Sequence, residues 1–418
     1  MHILLITHYF APDSGAAANR LTRLAHMLHE QGHDVTVLTT LPHYPKGIIP
    51  PEYRRRFVVT EERQGIRVIQ TWLWVSPISS ISRRLLSQLT FMMTCSLRSL
   101  FLPTPDVILL ENQPIFTGLA GWFISRVKGI PYVLNVSDYW PEYLVVAGVV
   151  RETSFIYRLF KALANRTQRD ATGIVTLLDD LLVKIEARIG KVAQSRVIYN
   201  AVDLDVFSPV VDDMTFRLKY GMEDKKLITF LGVLGVHIDL DTMLEAARRL
   251  HERQNITFLF VGTGAQKEKL ATALQQPDLS HCRWIEWIDF SEIPAFWAAS
   301  HVNFWALHHN ELDKMRFQAK LYEALATGTP VVIAVDGLMS QVLAQHQIGL
   351  TVPPYDVGAL VAAIETLLDD ESTHQGIARR ARHYAEQNFD ARRAAAAYEA
   401  MLQQALQPET KTVSRETD

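Results

Sequence analysis

Twice along the chain, short apolar runs bounded by turn residues alternate with amphipathic helical patterns, and this constrains the fold more than any other feature. The run HILLITHY gives way to the loop APDSGAAAN and then to RLTRLAHMLHEQG, whose apolar residues recur at three and four. Gly32 closes that helix and DVTVLTT starts the next strand. RVIQTWLW, DVILLE, YVLNVSD and GIVTLL continue the series, with helical stretches between them. Strands that are apolar throughout and alternate with helices predict parallel sheets covered by helices.

A second series follows RVIYNAVDLDVFSPV, where Pro209, Asp212 and Asp213 read as a connecting segment. Its strands are KLITFLGVLG, ITFLFVG, CRWIEW, VNFWAL and PVVIAV. The expectation is an α/β protein with two doubly wound, Rossmann-like domains, 1–204 and 205–388. In such sheets ligands bind beyond the carboxyl ends of the strands, so a cleft between the domains is the expected site. Residues 389–407 read as a C-terminal helix crossing back to the N-terminal domain, with Asp390 as its N-cap. Residues 408–418 read as a polar tail.

At 418 residues the chain exceeds one ordinary domain. Its two cysteines, Cys95 and Cys282, are far apart and suggest neither a disulfide framework nor a thiolate metal site. The opening MHILLITHYF enters a strand with no signal-peptide pattern, so a cytoplasmic location is expected. The stretch Leu85 to Leu102 is broken by Ser87, Gln88, Ser96 and Arg98, and falls short of the roughly 20 apolar residues of a spanning helix. It reads as a buried or interfacial helix.

The net charge of −3 hides an asymmetry. Residues 1–200 carry 22 Lys and Arg against 15 Asp and Glu, a net +7, while the remainder carries 20 against 30, a net −10. A basic first half that includes Arg54-Arg55-Arg56 and Arg83-Arg84 predicts contact with an anionic membrane surface. Scattered surface charge is the plainer alternative.

The segment FQAKLYEALATGTPVVIA, residues 317–334, carries the most chemistry. A helix from near Gln318 to Gly328, with Pro330 just beyond, leads into a buried strand. Its first-turn amides and positive dipole end suit a diphosphate. Lys320 adds charge there, and Glu323, one turn on, suits ribose hydroxyls; both are otherwise ordinary solvated helix residues. Asp203-Leu-Asp205 and Asp239-Leu-Asp241 resemble metal-holding pairs, but one lies in the connecting segment and the other at a helix start, where capping is the expected role.

Residues 317–334 resemble the donor-binding signature of the retaining family 4 glycosyltransferases, a glutamate-bearing helix running into a Gly-x-Pro-Val-Val strand. The opening HYFAPDSGAAANRLTRLAHMLHEQGHDVTVLTTLPHYPKG is similar to the N-terminal domain of the subgroup that builds bacterial surface polysaccharides, and DYWPEYLVVAG at 138–148 to its Asp-x-Trp-Pro-Glu motif. RVIYNAVDLDVF and FLFVGTGAQKEKL resemble the family's interdomain segment and donor-domain strand and turn. The resemblance implies the GT-B fold, a nucleotide diphosphate sugar as donor, a glycan or lipid-linked acceptor, and retention of configuration. It implies no metal or other cofactor, and nothing points to nucleic acid.

Asp138, at the end of strand YVLNVSD where catalytic groups of open sheets collect, and Lys320 are the catalytic candidates. Asp138 is otherwise a helix cap ahead of Pro141, and Ser137 stands where many family members have a histidine. The donor candidates are Gly15, in the first strand-to-helix loop, with Gly232, Gly235, Gly264, Arg316, Lys320 and Glu323; the acceptor-side candidates are Asn19, Arg20, and His43 and Tyr44 in the LPHYPKG loop. Two departures stand out. Met315 occupies the place of the family's second glutamate, and VHIDLD replaces its arginine and lysine, leaving Lys314, Arg316 and Lys320 as substitute cations. These departures keep a catalytically silent GT-B protein as an alternative. A GT-B sugar-nucleotide epimerase is another, but it needs an acid–base pair that the sequence does not display.

Overall fold

A computed structural model describes the chain except residues 78–80, 147–149, 193, 310–313, 315–316 and 408–418. It divides into two compact units, Met1–Tyr199 with Arg392–Asp418, and Asn200–Ala391.

The first unit holds β1 His2–Ile6, β2 Asp34–Thr40, β3 Val58–Arg63, β4 Ile66–Thr71, β5 Val107–Glu111, β6 Tyr132–Val136, β7 Gly173–Thr176 and β8 Ser195–Val197. They form one sheet in the order β3-β4-β2-β1-β5-β6-β7-β8. Every pairing is parallel except β3 with β4, a hairpin turned at Gln64 and Gly65, both at positive φ. The polar strand β3, VVTEER, is absent from the sequence reading.

The apolar strands are explained by what covers each face. Leu4, Ile6, Ile108 and Leu110 point to one side, against Phe91, Cys95, Ala120 and Ile124 of the helices Ile81–Ser99 and Ile115–Lys128. Ile3, Leu5, Val107 and Leu109 point to the other, against Leu21, Leu24 and Leu28 of the helix Ala16–Glu30. That side is completed by Tyr398, Met401 and Leu402 of the C-terminal helix Ala391–Leu406.

The second unit holds β9 Lys226–Leu231, β10 Ile256–Val261, β11 Cys282–Ile285, β12 Ser300–Ala306, β13 Val331–Ala334 and β14 Leu350–Val352. Their order is β11-β10-β9-β12-β13-β14, all parallel. The chain runs outward one way from β9 and then the other way from β12, so the topological switch lies between these two strands. In the first unit the switch lies between β1 and β5. Ligands of open α/β sheets bind outside the carboxyl ends of strands at such switches.

Candidate active site

The helix Ala319–Ala326 begins on the carboxyl side of the second sheet, after β12 and before β13. Its N-cap residue Gln318 makes no side-chain capping bond, and the first-turn amides form the positive end of the helix dipole. Lys320 and Glu323 lie one turn apart, and Nζ of Lys320 bonds both carboxylate oxygens, at 3.1 and 3.0 Å. The indole N–H of Trp297 donates to Oε2 of Glu323 at 3.0 Å. The Glu323 side chain is only 13% exposed and that of Lys320 27%. A carboxylate fixed from two sides beside first-turn helix amides can accept from vicinal hydroxyls while the amides and ammonium face phosphate oxygens. Arg316 and Met315 lie outside the described residues; Lys314 is described, with its backbone against Gly337.

Two glycine loops flank this end of the sheet and lock together through backbone. Gly262, at φ +137, passes so close to Gly232 that a Cβ would lie 1.8 Å from the Gly232 carbonyl oxygen. A Cβ on Gly264 would meet the Leu234 carbonyl oxygen at 2.5 Å. The Gln266 side-chain amide donates to Gly235 at 2.7 Å and to Ile238 at 2.9 Å. Gly264 thus lets the loops pack, and Gly232 and Gly235 form the strand-end turn they hold.

In the first unit, Gly15 is the N-cap of the helix that carries Asn19 and Arg20. Arg20 turns inward and pairs with Glu111, the last residue of β5, at 2.7 Å. Glu111 is 2% exposed and also accepts from Asn135 at 2.7 Å and from Ser137 at 2.8 Å. Tyr398 of the C-terminal helix donates to Asn135 at 2.6 Å. Arg20 is therefore part of a buried network beneath the loop that carries Asp138, which is itself exposed beyond β6.

Asp13 accepts from the backbone N–H groups of His43 at 2.8 Å and Tyr44 at 2.9 Å. The His43 ring stands 3.6 Å from the same carboxylate, with Nδ1 3.0 Å from the Leu41 carbonyl oxygen. Burial lowers the His43 pKa, against the opposing pull of Asp13. The Leu41 carbonyl oxygen can only accept, so Nδ1 is the donor in that contact. Tyr44 is about half exposed, and its ring packs on Tyr9 and beside Gly15. Asn19 is exposed on the outer side of its helix.

Asp239 caps the helix Leu240–Arg249, accepting from Thr242, while Asp241 binds Lys269 at 2.7 Å. Asp203 accepts from the N–H groups of Asp205 and Val206. Among the described residues no group of three or more His, Cys, Asp or Glu is placed to hold a metal ion.

Sequence reasoning missed Trp297, Glu111, Asn135, Tyr398 and Asp13. Only Glu111 left a signal, a charge closing an otherwise apolar strand.

Two Rossmann-like domains, each with a glycine and a helix start at the carboxyl edge of a largely parallel sheet, define a protein of the GT-B class. The sequence profile described as glycosyl transferases group 1 matches residues 214–384, and that described as glycosyl transferase 4-like domain matches residues 15–201. The chain belongs to the family 4 glycosyltransferases and is an enzyme of that class. It is 24% identical over 408 residues to WcaI of Escherichia coli K12, named for glycosyl transfer in colanic acid biosynthesis, covering 93% of this chain and 97% of the relative.

Solved structures agree in fold. Sucrose-phosphate synthase of Thermosynechococcus elongatus matches with a TM-score of 0.72 at 18% identity, over 96% of this chain and 98% of the other. Anabaena HepE in complex with UDP-glucose matches with a TM-score of 0.70 at 17% identity, over 96% and 99%.

Proposed function

We propose that the enzyme transfers a glycosyl group from a nucleoside diphosphate sugar to a glycan or lipid-linked acceptor, with retention of configuration, in the assembly of a surface polysaccharide or glycoconjugate. The observation that carries this is the Glu323 carboxylate, held by Trp297 and Lys320 beside first-turn amides at the carboxyl edge of a parallel sheet. Glu323 takes the ribose hydroxyls. The amides and Lys320 take the diphosphate, Lys320 exchanging part of its ion pair for phosphate oxygens. A uridine diphosphate donor is the first to test, since the HepE neighbour holds UDP-glucose.

In the transfer, the bond from the anomeric carbon to the diphosphate breaks, with its electron pair leaving on the diphosphate. The acceptor oxygen bonds that carbon on the same face, and the hydroxyl proton departs with the diphosphate. No protein nucleophile takes part. Lys320 and the helix amides stabilise charge that grows only as the bond breaks, which raises turnover rather than ground-state affinity alone.

The acceptor is met by the basic first unit, near an anionic membrane surface on its cytoplasmic side. Both cysteines are free and buried, which suits a reducing compartment. No described helix is long and apolar enough to cross a membrane.

Thermal unfolding with UDP, GDP, ADP and dTDP tests the donor assignment, since a ligand at 100 times its dissociation constant adds about 2.7 kcal/mol. Stabilisation by one of them, lost in Glu323→Ala, is the expected result. No shift with any of the four sinks the reading.

A further inference from the structure

The helix Ile81–Ser99 is apolar on two opposite faces. Phe91 and Cys95 are fully buried against the first sheet, whereas Leu86, Leu89, Met93 and Leu97, spaced at three, four and four, stand on the far side. Met93 is 62% exposed and Leu97 60%. This helix packs on Ile115–Lys128, which packs in turn on Phe155–Arg169, and these add Phe123 and the 78%-exposed Phe155 to the outer surface.

The three helices together carry nine Lys and Arg and no Asp or Glu. Arg126 and Arg166 pair with Asp170, and Lys161 with Glu142, on the border of the layer. Arg83, Arg158 and Arg169 stand exposed.

We propose that this helical layer is the membrane-docking surface, with Leu86, Met93, Leu97 and Phe155 entering the acyl boundary of an anionic bilayer while the surrounding arginines take lipid phosphates. The inference rests on the lipid-linked acceptor proposed above for its purpose. Its geometry stands independently. An exposed stripe of large apolar side chains costs free energy in water and marks an interaction surface. A helix with apolar residues on its outer face and only cations among its charges lies in the headgroup plane rather than spanning the bilayer. Charge selects the occupant. A second copy of this chain would bring nine cations against nine, whereas anionic lipid supplies the opposite sign.

The test uses the full chain with phosphatidylcholine vesicles, with and without phosphatidylglycerol, in a sedimentation assay. The parent should bind phosphatidylglycerol vesicles at least tenfold more tightly than neutral ones, and added salt should weaken the attraction. Met93→Asp/Leu97→Asp, at exposed positions, should lose tenfold or more at an unchanged melting temperature. Arg83→Glu/Arg158→Glu should abolish the preference for phosphatidylglycerol. Equal binding of parent and Met93→Asp/Leu97→Asp, or equal affinity for both vesicle types, overturns the proposal. So does a parent that ignores vesicles and sediments as a dimer that the aspartates dissolve. UDP titration in vesicle-free buffer should be unchanged in all these variants. A parent that fails to bind UDP counts against the donor reading alone and leaves the vesicle result standing.

Discussion

Trp297 and Glu323 come from different helices, yet the indole N–H of one meets the carboxylate of the other at 3.0 Å. The tryptophan is fully buried, so the geometry of the carboxylate proposed to hold the ribose is set from the core of the second unit. Trp297→Phe keeps most of the ring and removes the donor. A hydrogen bond to a charged group contributes about 1.5–3 kcal/mol, part of which Lys320 retains, so UDP affinity by calorimetry should fall roughly tenfold. Unchanged affinity would make the bond a packing detail.

Glu323→Ala should weaken uridine and UDP alike, by roughly ten- to a hundredfold, because the proposed ribose contact is common to both. Lys320→Ala should spare uridine, weaken UDP, and reduce kcat at least as much as affinity. Since the two side chains are ion-paired, the double variant should cost less than the sum of the singles. Additive losses would mean that the pair does not act as a unit.

Glu111 anchors Arg20, Asn135 and Ser137 at 2% exposure. Removing a buried carboxylate and stranding its arginine typically costs about 3–5 kcal/mol. Glu111→Ala should therefore lower the stability of the first unit by that order and depress turnover, with UDP affinity spared if the donor is held in the second unit. Calorimetric unfolding and UDP titration on one preparation would separate the effects.

His301 stacks on His374 with ring centroids 4.1 Å apart. Burial, followed by the positive charges of His374 and Lys226, holds its pKa down at about 4, against about 6.5 for a free imidazole. The folded chain then resists a proton that the unfolded chain accepts. The residue has no effect on stability above about pH 6.5 and becomes destabilising as pH falls from there toward about 4. Partial exposure screens some of this. His301→Gln should lose less stability between pH 7 and pH 5 than the parent in denaturant titrations; parallel curves would argue against the residue.

Asp239 caps a helix and Asp241 binds Lys269, so turnover should survive EDTA. Asp239→Ala should lower stability by about 0.5–2 kcal/mol, the range of a lost cap. Loss of activity on chelation, restored by magnesium or manganese, would reassign the pair.

Much of the fold was legible because parallel strands buried on both faces leave unbroken apolar runs, as in DVILLE and ITFLFVG. Strand β3 escaped because an edge strand needs no such run, and VVTEER is two valines followed by four polar residues, with only Val59 buried. Lys320 and Glu323 were legible through helix spacing and family likeness. Their partner Trp297 was not, because a tryptophan in an apolar helix gives no sign of where its N–H points. The Glu111 network joins residues 20, 111, 135, 137 and 398, and separations of that size leave no periodic trace.

The C-terminal helix Ala391–Leu406 supplies Tyr398, Met401 and Leu402 to the core of the first unit. The second unit is continuous from Asn200 to Ala391, so it is complete before that helix has been made. At roughly 5–20 residues per second, synthesis leaves the first unit on the order of 10–40 s without one of its covering helices. The later domain can thus finish folding first, and the earlier one must keep the floor beneath Val107 and Leu109 open until the helix Ala391–Leu406 has left the ribosome.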